Sequence, residues 1–292
     1  MLKKIISLIL CVVICAAFVS CGNATNNNHY LVEGNTSKIS SSIKTSKPKA
    51  TSKLTSYTFV QNTKVKIMPL GDSLTQGGQH NTSAYRGFLS TILKEGGHNS
   101  VFVGCHNWSY DSIRDGNWMH SGFGGATVQS LSDSLETMAD CNPDIILLMI
   151  GRNDNTKGIS AEQTVKNLDE LLVSRLYEMF PDVHIFLANP PPDRVYGGGE
   201  SLNLNDNALR TYLPAYRQYV EDKKAQGFNI DFVEMSIEST GFVWQDFTAE
   251  DFVHPLPVGY EKLAKVWYAA IKDKVVEIQK AKEEQMLKGE LK

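Results

Sequence analysis

Residues 144–150 read Asp-Ile-Ile-Leu-Leu-Met-Ile, six apolar residues in an unbroken row after Pro143. A half-exposed strand alternates apolar and polar positions. A strand covered on both faces has no side to show to water, and it reads as a continuous apolar run. Residues 144–150 therefore predict a buried strand of a parallel sheet, and such a sheet needs helices on both faces. The surrounding chain supplies them. Residues 65–70 form an apolar run that stops at Gly71, and 101–103, 183–188 and 229–233 read as further strands. Helical spacing marks 85–95, 127–139, 163–180, 206–226 (with a bend expected at Pro214) and 257–278. Strands that alternate with helices predict one α/β domain, a three-layer α/β/α sandwich on a five-stranded parallel sheet. Its bounds are set at 64–280, with 281–292 a charged C-terminal tail. The active site of such a sheet lies at the carboxyl ends of the strands.

The chain before Lys64 follows other rules. Lys3 and Lys4 precede a run of 15 residues, Ile5 to Val19, interrupted only by Ser7. Spanning a bilayer takes about 20 residues, so residues 1–20 read as a signal peptide rather than a permanent span. The run ends in Phe18-Val19-Ser20-Cys21, which resembles a bacterial lipobox. That resemblance implies lipidation at Cys21 and a bacterial cell-surface lipoprotein, although Phe18 stands where leucine is usual. The alternative is an ordinary signal peptide and a secreted protein. Positions 22–57 hold 22 Ser, Thr, Asn or Lys among 36. Such a stretch buries too little apolar surface to offset its ordering entropy, so 21–63 reads as a flexible linker.

Charge divides the same way. Residues 1–57 carry seven of the 29 basic residues and one of the 32 acids, which leaves a net charge of −9 beyond Tyr57. Phosphate binding needs a basic face, so nucleic acid is not an expected partner.

Four short pieces fall after strand ends or in late loops: Gly71-Asp72-Ser73-Leu74-Thr75, Gly124-Gly125-Ala126-Thr127, Gly151-Arg152-Asn153-Asp154 and Asp251-Phe252-Val253-His254-Pro255. Each alone is ordinary turn chemistry. Their combination and order resemble the four blocks of the SGNH, or GDSL, hydrolase superfamily. The stretch 67–75, then Tyr85-Arg86, 121–127 and 142–148 look like the acetylxylan esterases of carbohydrate esterase family three. The resemblance implies a flavodoxin-like strand order and a serine esterase acting on acetyl esters of polysaccharide, acetylxylan foremost. Other esters stay open: lysophospholipid, thioester, O-acetylated peptidoglycan or exopolysaccharide. So does a non-catalytic carbohydrate-binding lipoprotein.

Acyl transfer supplies the roles. A serine hydroxyl needs a base to become a nucleophile. Ser73 matches the nucleophile and His254 the base. Asp251, three residues earlier, is placed to hold the imidazole from a helical turn. No G-x-S-x-G elbow surrounds Ser73, which sets the chain apart from α/β-hydrolases. The resemblance maps the oxyanion donors to the Ser73 N–H, the Gly125 N–H and the Asn153 side chain. Gly125 is preferred to Gly124 because it directly precedes Ala126-Thr127.

Arg152 stands where the family often has threonine. Two readings are open: a contact to an acidic sugar, or an ion pair with a nearby carboxylate such as Asp154. Trp108, Trp118 and Trp244 fall in loops near the strand ends, where they could stack on sugar rings or anchor loop packing. His120 is read as lining or backing the cleft. His80, His98, His106 and His184 show no ligand spacing and are read as incidental. The resemblance leaves open a calcium site at Asp115 and Asp133, although no spacing there completes a metal loop; no catalytic metal or cofactor is expected, because the serine mechanism needs none. A monomer is expected. Cys105 ends one strand and Cys141 precedes another, at opposite ends of the sheet, so two buried free thiols are expected.

Overall fold

In a computed structural model of the chain, the described residues are 61–108, 118–194 and 208–289. They all fall within one compact unit. Six parallel strands are present: β1 (Val65–Gly71), β2 (Ser100–Phe102), β3 (Ser121–Gly122), β4 (Ile145–Met149), β5 (His184–Ala188) and β6 (Ile230–Val233). Their order is β2-β1-β4-β5-β6, the flavodoxin-like order, with β3 also on β1. β2 pairs with Val65–Ile67 of β1, and β3 takes over the same strand at Leu70 and Gly71. The two-residue β3 has no periodicity to read, so the sequence suggests five strands where six form.

The two faces of β4 account for its unbroken apolar run. Ile146, Leu148 and Ile150 pack in one core cluster with Leu131, Leu172, Leu176 and Tyr216. Ile145, Leu147 and Met149 pack in the other with Tyr85, Leu89, Leu263 and Trp267. The side-chain period of two sends alternate residues to opposite cores.

The helices are α1 (Ser73–Gln76), α2 (Tyr85–Glu95), α3 (Val128–Ser132), α4 (Arg152–Thr156), α5 (Ala161–Asn167), α6 (Ser174–Met179), α7 (Leu213–Ala225), α8 (Ile237–Thr240) and α9 (Pro257–Lys288). The helix expected at 127–139 is α3 followed by a separate 3-10 turn at Leu135–Met138. Between them the Ser134 hydroxyl bonds Ser130 O, and the Ser132 hydroxyl leaves for Leu171 O. Side-chain bonds of this kind compete with the helix ladder. The helix expected at 163–180 forms as α5 and α6 joined by a π-helical stretch, Leu168–Val173. Ser174 Oγ donates to Asp169 O, five residues back, across that wider turn. Pro214 falls where a π-helical stretch, Ala208–Tyr212, runs without interruption into α7, so the helix is wider just before the proline.

The C-terminal boundary needs correction. α9 runs to Lys288 rather than ending near residue 278, so 281–288 is helix and not tail. Lys282 Nζ bonds Lys64 O (3.0 Å) and Asp144 Oδ2 (2.5 Å), pinning the extension to the start of β1 and β4. Cys105 and Cys141 are both free, half-buried rather than fully buried. Burial pushes the Cys141 thiol up to about 11, with a further contribution from Cys105, so the two thiols are near enough to sense each other. The signal, Cys21 and most of the linker lie outside the described residues, and among those described no helix is long and apolar enough to cross a membrane.

Candidate active site

β1 ends at Gly71, and the next residue caps a short helix. Asp72 Oδ1 accepts the Leu74 N–H at 2.9 Å, so Ser73 becomes the first residue of α1 at the carboxyl end of the sheet. Asp72 is almost wholly buried. Burial pushes its carboxyl up to about 7, against the opposing pull of the Leu74 N–H and the Arg152 charge.

Ser73 Oγ lies 2.8 Å from His254 Nε2. His254 Nδ1 lies 2.9 Å from Asp251 Oδ2 and 3.0 Å from Oδ1. The segment that carries both is an irregular bend, not the helical turn suggested by the spacing. What closes it is the carboxylate itself. Asp251 Oδ1 accepts the backbone N–H groups of Val253 (3.2 Å) and His254 (2.9 Å), an Asx-type turn. One carboxylate therefore shapes the loop and orients the imidazole. Burial works against its charge, but the His254 N–H and imidazole outweigh it and hold Asp251 below the usual carboxylate range. A charged Asp251 accepts the proton on Nδ1 and leaves the Nε2 lone pair facing Ser73 Oγ.

Asn153 sits in the first turn of α4, after β4. Its Nδ2 donates to Ala126 O at 2.9 Å and points a longer contact, 3.4 Å, at Asp72 Oδ2. These bonds bring the Gly125–Ala126 turn, Asn153 and the Asp72–Ser73 corner together. Gly125 has φ +75° with open space around it, so the left-handed backbone and not crowding requires glycine there. Gly151 has both constraints: φ +109°, and a Cβ would sit 2.3 Å from the Tyr216 hydroxyl. Asp154 turns inward, where its carboxylate accepts the Val128 N–H that opens α3 (3.1 Å).

Residues 70–262 match the family model of the GDSL-like lipase/acylhydrolase family. The chain belongs to that family. That family model describes GDSL-like lipases and acylhydrolases. A multidomain esterase of Ruminococcus flavefaciens is 30% identical over 230 residues, 71% of this chain. The match spans only 28% of that relative's length. A family 3 carbohydrate esterase of Clostridium thermocellum superimposes with a TM-score of 0.61 at 25% identity, covering 74% of this chain and 99% of that one. A family 3 carbohydrate esterase from Talaromyces cellulolyticus shares the fold, with a TM-score of 0.60 at 18% identity over 73% and 99% of the two chains.

Two arginines, one buried and one half-buried, support the candidate site. Arg86, on α2, is fully buried and donates to three main-chain carbonyls: Thr75 O (3.0 Å), Gln76 O (2.9 Å) and Trp118 O (2.5 Å). It ties the end of α1 to the strand-like segment before β3. Arg152 pairs with Asp193 in the loop after β5, not with Asp154. The Asp154 carboxylate is committed to α3, and a partner 41 positions away is invisible in local spacing. Next to it, Arg194 N donates to Phe252 O at 2.9 Å and its guanidinium lies over the Trp244 ring at 5.2 Å. The loop after β5 thus braces both the Arg152–Asn153 turn and the Asp251–His254 loop.

The remaining expectations separate. Trp108 packs edge-on against His120 (4.8 Å), and Trp118 enters through its carbonyl, so both take part in packing around β3. Trp244 is the tryptophan whose neighbours reach the Asp251–His254 loop. His120 is buried, and its Nδ1 accepts the Gly122 N–H at 3.0 Å, which puts the ring proton on Nε2. Burial and then the Arg86 charge hold it far below the ordinary histidine range, so it stays neutral. Asp133 accepts from Gln129 at the surface, and Asp115 lies outside the described residues. Among the described residues no cluster of three or more His, Cys, Asp or Glu could hold a metal ion. One group read as incidental is at the site. His80 Nε2 lies 3.2 Å from His254 O and 3.7 Å from Asp251 Oδ2. Its place seven residues after Ser73, in an aperiodic loop, carries no sequence signal.

Proposed function

We propose that this chain is a serine esterase that removes acetyl groups from polysaccharide, with acetylxylan the first substrate to test. The observation that carries the reading is the unbroken chain from Ser73 Oγ through His254 to Asp251, at 2.8 and 2.9 Å. The Ser73 hydroxyl attacks the ester carbonyl and passes its proton to His254 Nε2. Asp251 stabilises the imidazolium that forms. The oxyanion meets the Ser73 and Gly125 N–H groups and the Asn153 amide. His254 then gives that proton to the departing sugar oxygen, which leaves as a hydroxyl, and the acetyl group stays on Ser73 Oγ. A water gives a proton to Nε2 as its oxygen attacks the acetyl carbon; the bond to Ser73 Oγ breaks, Nε2 returns the proton to that oxygen, and acetic acid leaves and ionises to acetate.

Similarity to carbohydrate esterases favours a sugar ester over a lipid. In this reading residues 1–20 export the chain, Cys21 carries the lipid, and 21–63 tethers a monomeric enzyme at the outer surface of a bacterium. No metal or cofactor enters the chemistry.

The test is acetate release from acetylated xylan, peptidoglycan and chitin, beside a Ser73→Ala control and a panel of p-nitrophenyl esters of increasing chain length. Acetyl-selective turnover on xylan that vanishes in Ser73→Ala is expected. Preference for long acyl chains discards the polysaccharide assignment, and turnover that survives Ser73→Ala discards the serine mechanism.

A further inference from the structure

We propose that His80 is a positioning residue that locks the base of the triad to the segment carrying the nucleophile; the proposal rests on the serine-esterase reading above. Ser73 and His80 belong to one short stretch of chain, α1 and the turn after it. They grip His254 at two points. Ser73 Oγ meets the imidazole at Nε2, while the His80 ring meets the backbone carbonyl of the same residue. A carbonyl oxygen only accepts, so His80 Nε2 carries the hydrogen. That donor exists in both the neutral and the charged ring. The same Nε2 lies 3.7 Å from Asp251 Oδ2, the oxygen 2.9 Å from His254 Nδ1.

The grip answers a weakness in the loop. Asp251 to Pro255 has no helix or strand ladder to hold it. Among the described residues its ties to neighbouring segments include Arg194 N to Phe252 O from the loop after β5, Asp251 N to Thr248 Oγ1, and Leu256 N to Asp246 O on its exit. None of these ties the imidazole to Ser73. His80 does, because its backbone is continuous with α1.

The backbone under His80 is unusual. His80 has φ +56° and Asn81 φ +54°, two consecutive left-handed residues without a glycine. Non-glycine residues hold such geometry only where their surroundings impose it, and it clusters at functional sites. Here it turns the His80 ring back over the Asp251–His254 loop.

A base misplaced by about 1 Å can lose on the order of 100-fold in rate. His80→Gly is the informative deletion, because glycine adopts the left-handed turn freely and the scaffold is not strained. On p-nitrophenyl acetate, kcat is expected to fall roughly 10- to 100-fold with KM changed less than about twofold. The melting temperature is expected to stay near that of the parent. His80→Gln, which returns an N–H donor at similar reach, is expected to recover most of the lost kcat. If His80→Gly does not fold, His80→Leu against His80→Gln gives the same comparison. An unchanged kcat, a loss confined to KM, or no recovery in His80→Gln overturns the proposal. The Ser73→Ala arm separates the two readings. Activity surviving in Ser73→Ala removes the triad itself, whereas an inactive Ser73→Ala with a fully active His80→Gly removes only the role of His80.

Discussion

Asp72→Asn should stabilise the protein in a way that grows with pH. Asp72 is buried beneath Ser73 and its carboxyl is pushed from an ordinary 3.8 up to about 7. The folded protein then holds this proton more tightly than the unfolded chain. Stability is least penalised below about pH 4 and falls as pH rises from there towards 7, because unfolding lets Asp72 ionise in water. A shift of about three units corresponds to about 4 kcal/mol at pH 8. For a domain of ~230 residues each kcal/mol moves the melting temperature by about 2–4 °C. Asparagine keeps an oxygen for the Leu74 N–H and has no proton to lose. Its effect on the long Asn153 contact does not change with pH. The assay is thermal unfolding of both proteins from pH 4.5 to 8.5, read as the difference in melting temperature. About 1 kcal/mol of that penalty is already present at pH 4.5, so the difference should move in favour of the variant by about 3 kcal/mol, roughly 6–12 °C, across the range. Taking the difference cancels carboxylates that titrate alike in both proteins. A difference constant to within about 2 °C refutes the argument, and would mean that the Leu74 N–H and Arg152 hold Asp72 ionised at little penalty.

Asn153→Ala should keep the fold and lower kcat about 100- to 1000-fold, the usual effect of losing one oxyanion donor; unchanged turnover on p-nitrophenyl acetate would remove Asn153 from that role. Trp267→Ala should destabilise by about 3–5 kcal/mol, because the ring is fully buried between the sheet and α2, 5.8 Å from Tyr85. Trp267→Phe should be milder in thermal melts, since the indole Nε1 has no hydrogen-bond partner among the described residues. Thiol titration in denaturant without reductant should find Cys105 and Cys141 both reactive; protection of both would reveal a disulfide.

Much of the site was readable because its chemistry sits in short contiguous blocks. Ser73, Gly125, Asn153, Asp251 and His254 each fall inside a motif, and the motifs follow strand ends that local apolar runs reveal. Where the reading failed, the partner was distant or the determinant was a backbone angle. Of the two readings open for Arg152, the ion pair forms, but its carboxylate is Asp193, 41 positions away, and not the adjacent Asp154. His80 was set aside because nothing local marks it, yet it reaches His254 174 positions away. The interruptions at 132–134 and 168–173 depend on serine hydroxyls choosing backbone acceptors, a choice that apolar spacing does not encode.

The six apolar residues before Gly151 announced a strand buried on both sides, and from that alone came the layered sheet and the end of it where chemistry belongs. Periodicity is a property of adjacent residues, so it is legible along the chain. Which carboxylate neutralises Arg152, which histidine steadies His254, and how high burial drives Asp72 are properties of groups that meet across the fold. Those outcomes depend on distance and dielectric, and both exist only once the sheet has closed under its helices.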